Sequence, residues 1–322
     1  MAHSELLATV RRPLFPDTHI EVPATRSEYE RVQEILDEEY AKFLTLQYDG
    51  FRKVAIVEAA PSPLHGDMVG QLLWRISRSV DRMPEIDQNI KDGISISNDR
   101  RNTRDTGDTS TTRNWDGALT YLTRDGGTLM VAVEVGLSQT YDSLRAAISF
   151  SVCALGCRVG IAMSINEGDR NIAPTIRYYD TREEKLAGIR EIEHNLDSQL
   201  QTNPFGPLRI GEETWFGKIT KVVLKTYRLE DESSPPETLL DPKQSFFIDD
   251  CRKWLFVGGE VPTNLADITI GDFIPTQILT GNNIEATSVN FFQQDWFENT
   301  FRFALLATAM ERVRDKSKVQ HV

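Results

Sequence analysis

Apolar residues recur at helical spacing in five segments of the chain. The first is SEYERVQEILDEEYAKFLTL, which opens with Ser27 and Glu30 as a capping box. The others follow PSPLH, start at TYDSLR and at REEKLAG, and run from about Val289 to Lys316. The predicted apolar faces are Tyr29, Val32, Leu36, Tyr40 and Phe43 in the first helix; Met68, Leu72, Leu73, Ile76 and Val80 in the second; Leu186, Ile189, Ile192, Leu196 and Leu200 in the fourth; and Phe292, Trp296, Phe303, Leu306 and Met310 in the last.

Short apolar or alternating runs between these helices predict strands. They are FRKVAIVEAA, KDGISISN, WDGALTYL, GGTLMVAVEVG, RVGIAMSIN, PTIRYYD and ITKVVLKTYRL. In the middle of the chain, the strands before and after TYDSLRAAISFSVCALG bracket a helix, and this order favours a right-handed crossover with parallel pairing. The pattern therefore predicts an α/β layer structure.

Composition narrows the classes of protein. With 40% hydrophobic residues in 322 positions, the chain can bury a sizeable core. A formal net charge of −12 argues against binding nucleic acid by bulk electrostatics, which needs clustered Lys and Arg. An odd number of cysteines, no apolar leader and no membrane-length apolar run predict an intracellular protein, cytoplasmic or nuclear, without a membrane partner.

Glu134 interrupts the apolar strand VAVEV. A carboxylate in such a strand costs several kcal/mol to desolvate unless it is paired, protonated or bound to a cation. Asp116 lies in the preceding strand, and a Gly-Gly turn between the strands can bring both carboxylates within reach of one hard cation such as Mg²⁺. The alternative is that Glu134 pairs with Arg75 or Arg145 and that Asp116 caps the turn in NWDGAL.

The segments PSPLHGDMVGQLL, WDGAL and VAVEVGLSQTYDSL together resemble the PD-(D/E)XK superfamily of restriction-endonuclease-like proteins. The resemblance is to a group of uncharacterised fungal proteins and to small bacterial endonuclease-like proteins. It covers about residues 55 to 180 and extends loosely through TIGDFIPT into the final helix. It implies a mixed sheet flanked by helices and metal-dependent hydrolysis of phosphodiesters, with Mg²⁺ or Mn²⁺ as cofactor.

Carried over by position, the resemblance makes Asp116 the motif aspartate and Glu134 the motif glutamate, both as metal ligands. Gly136 falls where the motif lysine is expected, and no lysine lies between residues 91 and 185. Trp115 replaces the motif proline, which shapes a turn and does no chemistry.

Gln139 is the natural substitute for the lysine, because an amide can orient water and donate to phosphate although it carries no charge. The alternative is a solvent-facing Gln139 beside Ser138 or Thr140 as a helix cap.

His65 lies on the helix that flanks the active site in this superfamily, so it is predicted to support the site. The alternative is a helix N-terminal histidine that bonds only to the backbone.

These observations predict an α/β protein with three segments. Residues 1–50 form an N-terminal extension with a helix, residues 51–180 a restriction-endonuclease-like core, and residues 181–322 an α+β C-terminal elaboration packed on that core. The predicted function is a metal-dependent nuclease with a degenerate active site.

The alternative function is a catalytically inactive nuclease fold that binds nucleic acid or a protein partner. A third possibility is a scaffold whose partner docks on the last helix, which predicts an exposed apolar patch there.

Overall fold

The fold is described here from a computed structural model, which covers residues 5–38, 44–104, 110–137, 139, 141–168, 175–228, 245–249, 253–256, 268–279, 284–289 and 294–320. The helices are α1 (Glu5–Val10), α2 (Arg26–Glu38), α3 (Pro63–Asp81), α4 (Gln88–Lys91), α5 (Tyr141–Ser149), α6 (Arg182–Thr202), α7 (Thr276–Leu279) and α8 (Gln294–Lys316). The strands are β1 (His19–Pro23), β2 (Leu44–Asp49), β3 (Val54–Ala59), β4 (Ile94–Arg104), β5 (Thr111–Thr123), β6 (Gly126–Leu137), β7 (Val159–Glu167), β8 (Arg177–Tyr179), β9 (Leu208–Ile210), β10 (Glu213–Phe216), β11 (Ile219–Tyr227), β12 (Ser245–Asp249), β13 (Lys253–Phe256) and β14 (Ser317–Val319).

Most strands belong to one mixed, mainly antiparallel sheet. Its order within the described residues is β1-β3-β2-β5-β6-β7-β11-β12-β13. β4 pairs with β5 along the edge opposite to β2 and β6. The predicted parallel pairing is confirmed, because β6 and β7 are parallel neighbours joined through α5. The predicted α/β class with helices flanking a mixed sheet is therefore confirmed.

Helices cover the central strands on both faces. α3, α6 and α8 pack on the face of β6 that carries Val131, Val133 and Val135. α5 packs on the opposite face, against Ala132 and Ala162. α1 and α2 form a smaller core with β1, β2 and β3. The described part of the chain contains no helix that is both long and apolar enough to cross a membrane.

The three predicted segments share the sheet. Residues 1–50 contribute β1 and β2, residues 51–180 contribute β3 to β7, and β11 to β13 continue the sheet from the C-terminal segment. The boundary at residue 50 falls in the turn between β2 and β3, two paired strands. The N-terminal segment is thus part of the scaffold around the central strands.

The first predicted helix was wrong at both ends. α2 begins at Arg26, so the cap is Thr25, whose hydroxyl accepts from the Glu28 amide at 3.2 Å while Glu28 Oε2 accepts from the Thr25 amide at 2.9 Å. Glu30 instead pairs with Arg26 at 2.6 Å, one turn away. At the other end, the predicted helix included the start of β2, which pairs along β3. Tyr40 and Phe43 lie outside the described residues.

The apolar faces of α3 and α6 are confirmed except for Leu186, which is exposed. In α8 the predicted stripe was wrong at Phe303, whose side chain is 61% exposed, although Met310 is buried. The buried face is rotated from the predicted stripe and follows Phe297, Phe301, Ala304 and Leu305. Phe292 and the side chain of Trp296 lie outside the described part of the structure. α8 therefore packs its main apolar face against α3 and α6.

A glycine in β5 allows α3 to lie close to the sheet. A Cβ atom at Gly117 would come within 2.5 Å of Leu73 Cδ1 and 2.7 Å of Val69 Cγ1, both on α3. Any side chain at this position would push the helix away from β5.

We expect Gly117→Ala to lower the free energy of unfolding by about 1–3 kcal/mol, because overpacking displaces α3. Gly70→Ala is the matched control, since a Cβ there meets nothing within 4 Å and helical Ala is favoured over Gly by roughly 0.5–1 kcal/mol. Urea unfolding of both variants measures the difference. Equal stability of the two would mean that the contact at Gly117 relaxes without cost.

Candidate active site

A cavity of about 290 Å³ lies beside β5, where this strand changes partners. The pairing of β5 with β2 is at Thr112, and its pairing with β6 begins at Gly117. Between these positions the two neighbours diverge, and the cavity occupies the gap. Its walls come from the segment entering β1, the end of β3, the start of α3, and facing parts of β5 and β6.

Asp116 and Glu134 both line this cavity. The register of β5 and β6 pairs Gly117 with Val133, so the next step along the hairpin places Asp116 opposite Glu134. Directly opposed residues of antiparallel strands share a face of the sheet. The two predicted metal ligands are thus brought together, as the hypothesis requires.

The Glu134 side chain is buried without a partner for one of its oxygens. The residue is 6% exposed, and its Oε1 has no hydrogen bond. Burial is the main reason that the pKa of Glu134 is raised well above its ordinary value of 4.5, and the charges of Asp116 and Glu58 raise it further. The positive charges of Arg113 and His65 act in the opposite direction and lower the pKa of Glu134. The alternative pairing with Arg75 or Arg145 does not form.

Asp116 holds β6 and α3 together. Its Oδ2 accepts from the Val135 amide at 2.7 Å, and its Oδ1 lies 3.0 Å from His65 Nε2. The alternative in which Asp116 caps a turn is wrong, because the residue lies within β5 and its carboxylate bonds to the neighbouring strand. This carboxylate takes the place of a β5 carbonyl where the strands separate.

The start of α3 is fixed from three sides. Ser62 is the N-cap and accepts from the His65 amide, and Pro63 begins the helix, where its missing N–H is no loss. The Leu64 amide donates to Thr308 Oγ1 of α8 at 2.9 Å. This anchoring holds His65 over the cavity.

The His65 ring lies between two carboxylates. Nε2 faces Asp116, and Nδ1 lies 3.5 Å from Oδ1 of Asp17, which also accepts from the Ser62 amide at 2.8 Å. Burial alone would lower the pKa of His65, but the charges of Asp116 and Asp17 and their hydrogen bonds outweigh it and hold the pKa well above 6.5. The same pairing lowers the pKa of Asp17 against its own burial. His65 is thus a cation of the site, and its ring does not depend on backbone bonds.

Gln139 occupies the space beside Gly136. A Cβ atom at Gly136 would lie 3.0 Å from both Cβ and Oε1 of Gln139. Gln139 is half-buried, lines the cavity, and donates from Nε2 to Ser143 Oγ at 3.1 Å. The solvent-facing alternative for Gln139 is therefore wrong; Ser138 and Thr140 lie outside the described residues. A side chain at position 136 would therefore compete with Gln139 for this volume.

Four residues at or behind this cavity were not predicted from the sequence: Asp17, His19, Glu58 and Ser143. Glu58 carried the same signal as Glu134, an acid within an apolar strand, in VAIVEA. Asp17 and His19 come from a Pro-punctuated segment whose pattern gives no sign of a site. Ser143 looked like an ordinary residue in the first turn of a helix.

Among the described residues, no group of three or more His, Cys, Asp or Glu side chains is arranged to hold a metal ion. The cavity offers two opposed carboxylates, which is what Mg²⁺ commonly takes from a protein when water and substrate phosphates complete its shell.

A scan of the sequence against protein-family models finds no match, and a search of curated proteins finds none that is significantly similar. The chemistry of the cavity is therefore argued from its own residues.

The raised pKa of Glu134 predicts that the free energy of unfolding depends on pH. The folded protein keeps the Glu134 proton at pH values where the unfolded chain has lost it, so stability falls as pH rises through the folded pKa. Glu134→Gln has no proton to lose. We expect it to be more stable than the wild type, by a margin that grows as pH rises from the ordinary pKa of a glutamate towards the raised pKa of Glu134 in the folded protein.

Denaturant unfolding across this pH range measures the margin. Glu213→Gln is the control of opposite sign, because bonds from Arg177 and Thr175 lower the pKa of Glu213 despite some burial. This control should be destabilised at neutral pH and approach the wild type in acid. A margin for Glu134→Gln that does not vary with pH would contradict an unpaired buried acid.

His65 also has a raised pKa, so its contribution to stability is lost with rising pH, in the same direction as that of Glu134. Its ion pairs contribute fully below pH of about 6.5 and are lost as pH rises through the raised pKa of the folded state. His65→Asn should lower the free energy of unfolding by about 1–3 kcal/mol at pH of about 6, and the deficit should shrink in alkali. His194→Asn, an exposed histidine of α6, is the control and should change little. A deficit that is constant with pH would mean that the ring only packs.

Proposed function

We propose that this protein is a metal-dependent nuclease that hydrolyses phosphodiester bonds, with Asp116 and Glu134 as ligands of Mg²⁺ or Mn²⁺. The main observation in support is that Glu134 Oε1 is buried without a hydrogen bond, in a cavity that Asp116 also lines. A buried polar atom without a hydrogen bond is costly, and a bound cation is one partner that would offset this cost. Hard cations take oxygen ligands, so a divalent cation fits the donor set.

When bound, such a cation would polarise a phosphoryl oxygen and lower the pKa of a coordinated water. Asp116 can contribute an oxygen while its other bonds keep β6 and α3 in place. Glu134 contributes the oxygen that has no other partner. In the overall reaction, water adds OH to phosphorus, the ester P–O bond breaks, and the leaving oxygen receives the remaining proton.

The positive charge of the missing lysine has a replacement in His65. This cation lies 3.0 Å from Asp116 and is oriented by Asp17. It supports the proposal because it balances the acids of the cavity and can favour an anionic substrate. Gln139 supplies an amide at the volume next to Gly136 and would orient water or a phosphate oxygen.

The finer fold assignment is also part of the proposal. A restriction-endonuclease-like core is supported by the β5–β6 hairpin with its opposed acids, by the parallel β7 after α5, and by α3 at the flank of the site. One fold can serve many functions, so the proposal depends on the cavity more than on this architecture.

The second candidate is an inactive nuclease fold that binds nucleic acid or a protein. Gly136 favours it, since an amide cannot supply the charge that a lysine would bring to the reaction. Under this alternative, the acids of the cavity would hold no cation.

A cleavage assay separates the two candidates. We expect the wild type to cut single- or double-stranded DNA or RNA only with Mg²⁺ or Mn²⁺, and Glu134→Gln and Asp116→Asn to lose roughly 100-fold or more. Asp67→Asn is the matched control, because Asp67 is an exposed acid on α3 that does not line the cavity. It should retain full activity.

Metal binding is measured separately by titration with Mn²⁺ followed by electron paramagnetic resonance. The wild type and Asp67→Asn should bind the ion, and Glu134→Gln should not. No metal-dependent cleavage together with no Mn²⁺ binding would reject the nuclease proposal and leave the binding protein.

A further inference from the structure

Ser143 lies behind Gln139 and joins several side chains. It is on the first turn of α5 and is 4% exposed. Its hydroxyl lies 2.7 Å from His19 Nε2, donates to Glu21 Oε1 at 3.1 Å, and accepts from Gln139 Nε2 at 3.1 Å. Side chains of β1 therefore meet Gln139 and Ser143, more than 100 positions later in the chain, at one oxygen.

The direction of these bonds follows from counting protons. A serine hydroxyl has one proton and two lone pairs, whereas a carboxylate only accepts. Arg52 forms a two-pronged ion pair with Glu21, and this is the main reason that the pKa of Glu21 is lowered. Ser143 therefore donates its proton to Glu21 and accepts from the Gln139 amide.

His19 is the third partner of this hydroxyl. Its Nδ1 lies 2.9 Å from Glu58 Oε1, and the other oxygen of Glu58 accepts from Gln47. Glu58 fixes the plane of the ring and points Nε2 at Ser143. The ring also lines the cavity, so the network reaches its wall from the side of β1.

Because Ser143 is an acceptor on this side, Gln139 must present its NH₂ group to it. The carbonyl oxygen then turns towards Gly136, where it lies 3.0 Å from the position of a Cβ atom. A primary amide has two N–H groups, and Ser143 takes one of them. The second remains for a phosphate oxygen or a water in the cavity.

We propose that Ser143 is a positioning residue, held by His19 and Glu21, that fixes the Gln139 amide with its second N–H available to a phosphate oxygen. This inference rests on the proposed nuclease function for its catalytic consequence. The arrangement of Gln139 itself does not depend on that function.

The distances from Ser143 to His19 and from His19 to Glu58 also resemble those of a serine nucleophile with its base. Two observations argue against this role. Ser143 is not part of the cavity wall, and its proton is directed to Glu21. A nucleophile would need an exposed hydroxyl whose proton passes to His19.

The first test is nuclear magnetic resonance of the Gln139 side-chain amide, assigned by its loss in Gln139→Glu. In the wild type we expect a shifted NH₂ pair with slowed hydrogen exchange, and in Ser143→Ala a pair typical of a free amide. Ser151→Ala is the matched control, because Ser151 is buried just after α5 and bonds to the Ala147 carbonyl at 3.3 Å. An unchanged Gln139 amide in folded Ser143→Ala would overturn the proposal.

The second test is kinetic. Ser143→Ala and His19→Ala should lower kcat by about 10–100-fold with little change in KM, as for residues that orient another active group. His19→Gln should recover part of the loss, because its amide can donate near the position of Nε2. An unchanged kcat in Ser143→Ala would contradict the catalytic consequence.

A fluorophosphonate probe tests the rival role. Covalent labelling of Ser143 would overturn the positioning proposal, and absence of labelling is expected. A wild type that cleaves no substrate would reject the proposed function, while the Gln139 resonances would still decide whether Ser143 fixes the amide.

Discussion

Each stretch of a strand edge can pair with only one neighbouring strand, and one edge of β5 is divided between two strands. It meets β2 at Thr112 and β6 from Gly117 onward. Where the two pairings end, the backbone groups need other hydrogen-bond partners, because unpaired buried backbone groups are costly. Side chains supply them: Gln47 accepts from the Asn114 amide, and Asp116 accepts from the Val135 amide. A polar cavity in the middle of a sheet follows from this change of partner.

The electrostatics of the cavity follow from its depth. Acids from β3, β5 and β6 converge on the cavity, and the buried one among them, Glu134, has a raised pKa and so tends to keep its proton. The compensating charge comes from His65, which is rigidly held, whereas a lysine would bring a flexible stem. A buried histidine between two carboxylates stays charged, since their attraction exceeds the cost of burial.

Much of the scaffold could be predicted from the sequence. The parallel β6–β7 pair, the faces of α3 and α6, and the meeting of Asp116 with Glu134 all follow from periodicity and chain order. The face of α8 did not, because its apolar residues are spread around the helix and only packing selects among them. Asp17 and His19 could not be found, since their role depends on β1 lying beside β3, a pairing that no local pattern reveals.

The contact between His19 and Ser143 joins residues 124 positions apart. During synthesis, β1 leaves the ribosome long before α5 is made. Its polar side chains are therefore exposed to water until α5 is available. Long-range contacts of this kind form late, after loop closure has been achieved. The network that holds Gln139 beside the cavity is therefore a product of the finished fold, and no piece of the chain that ends before α5 can form it.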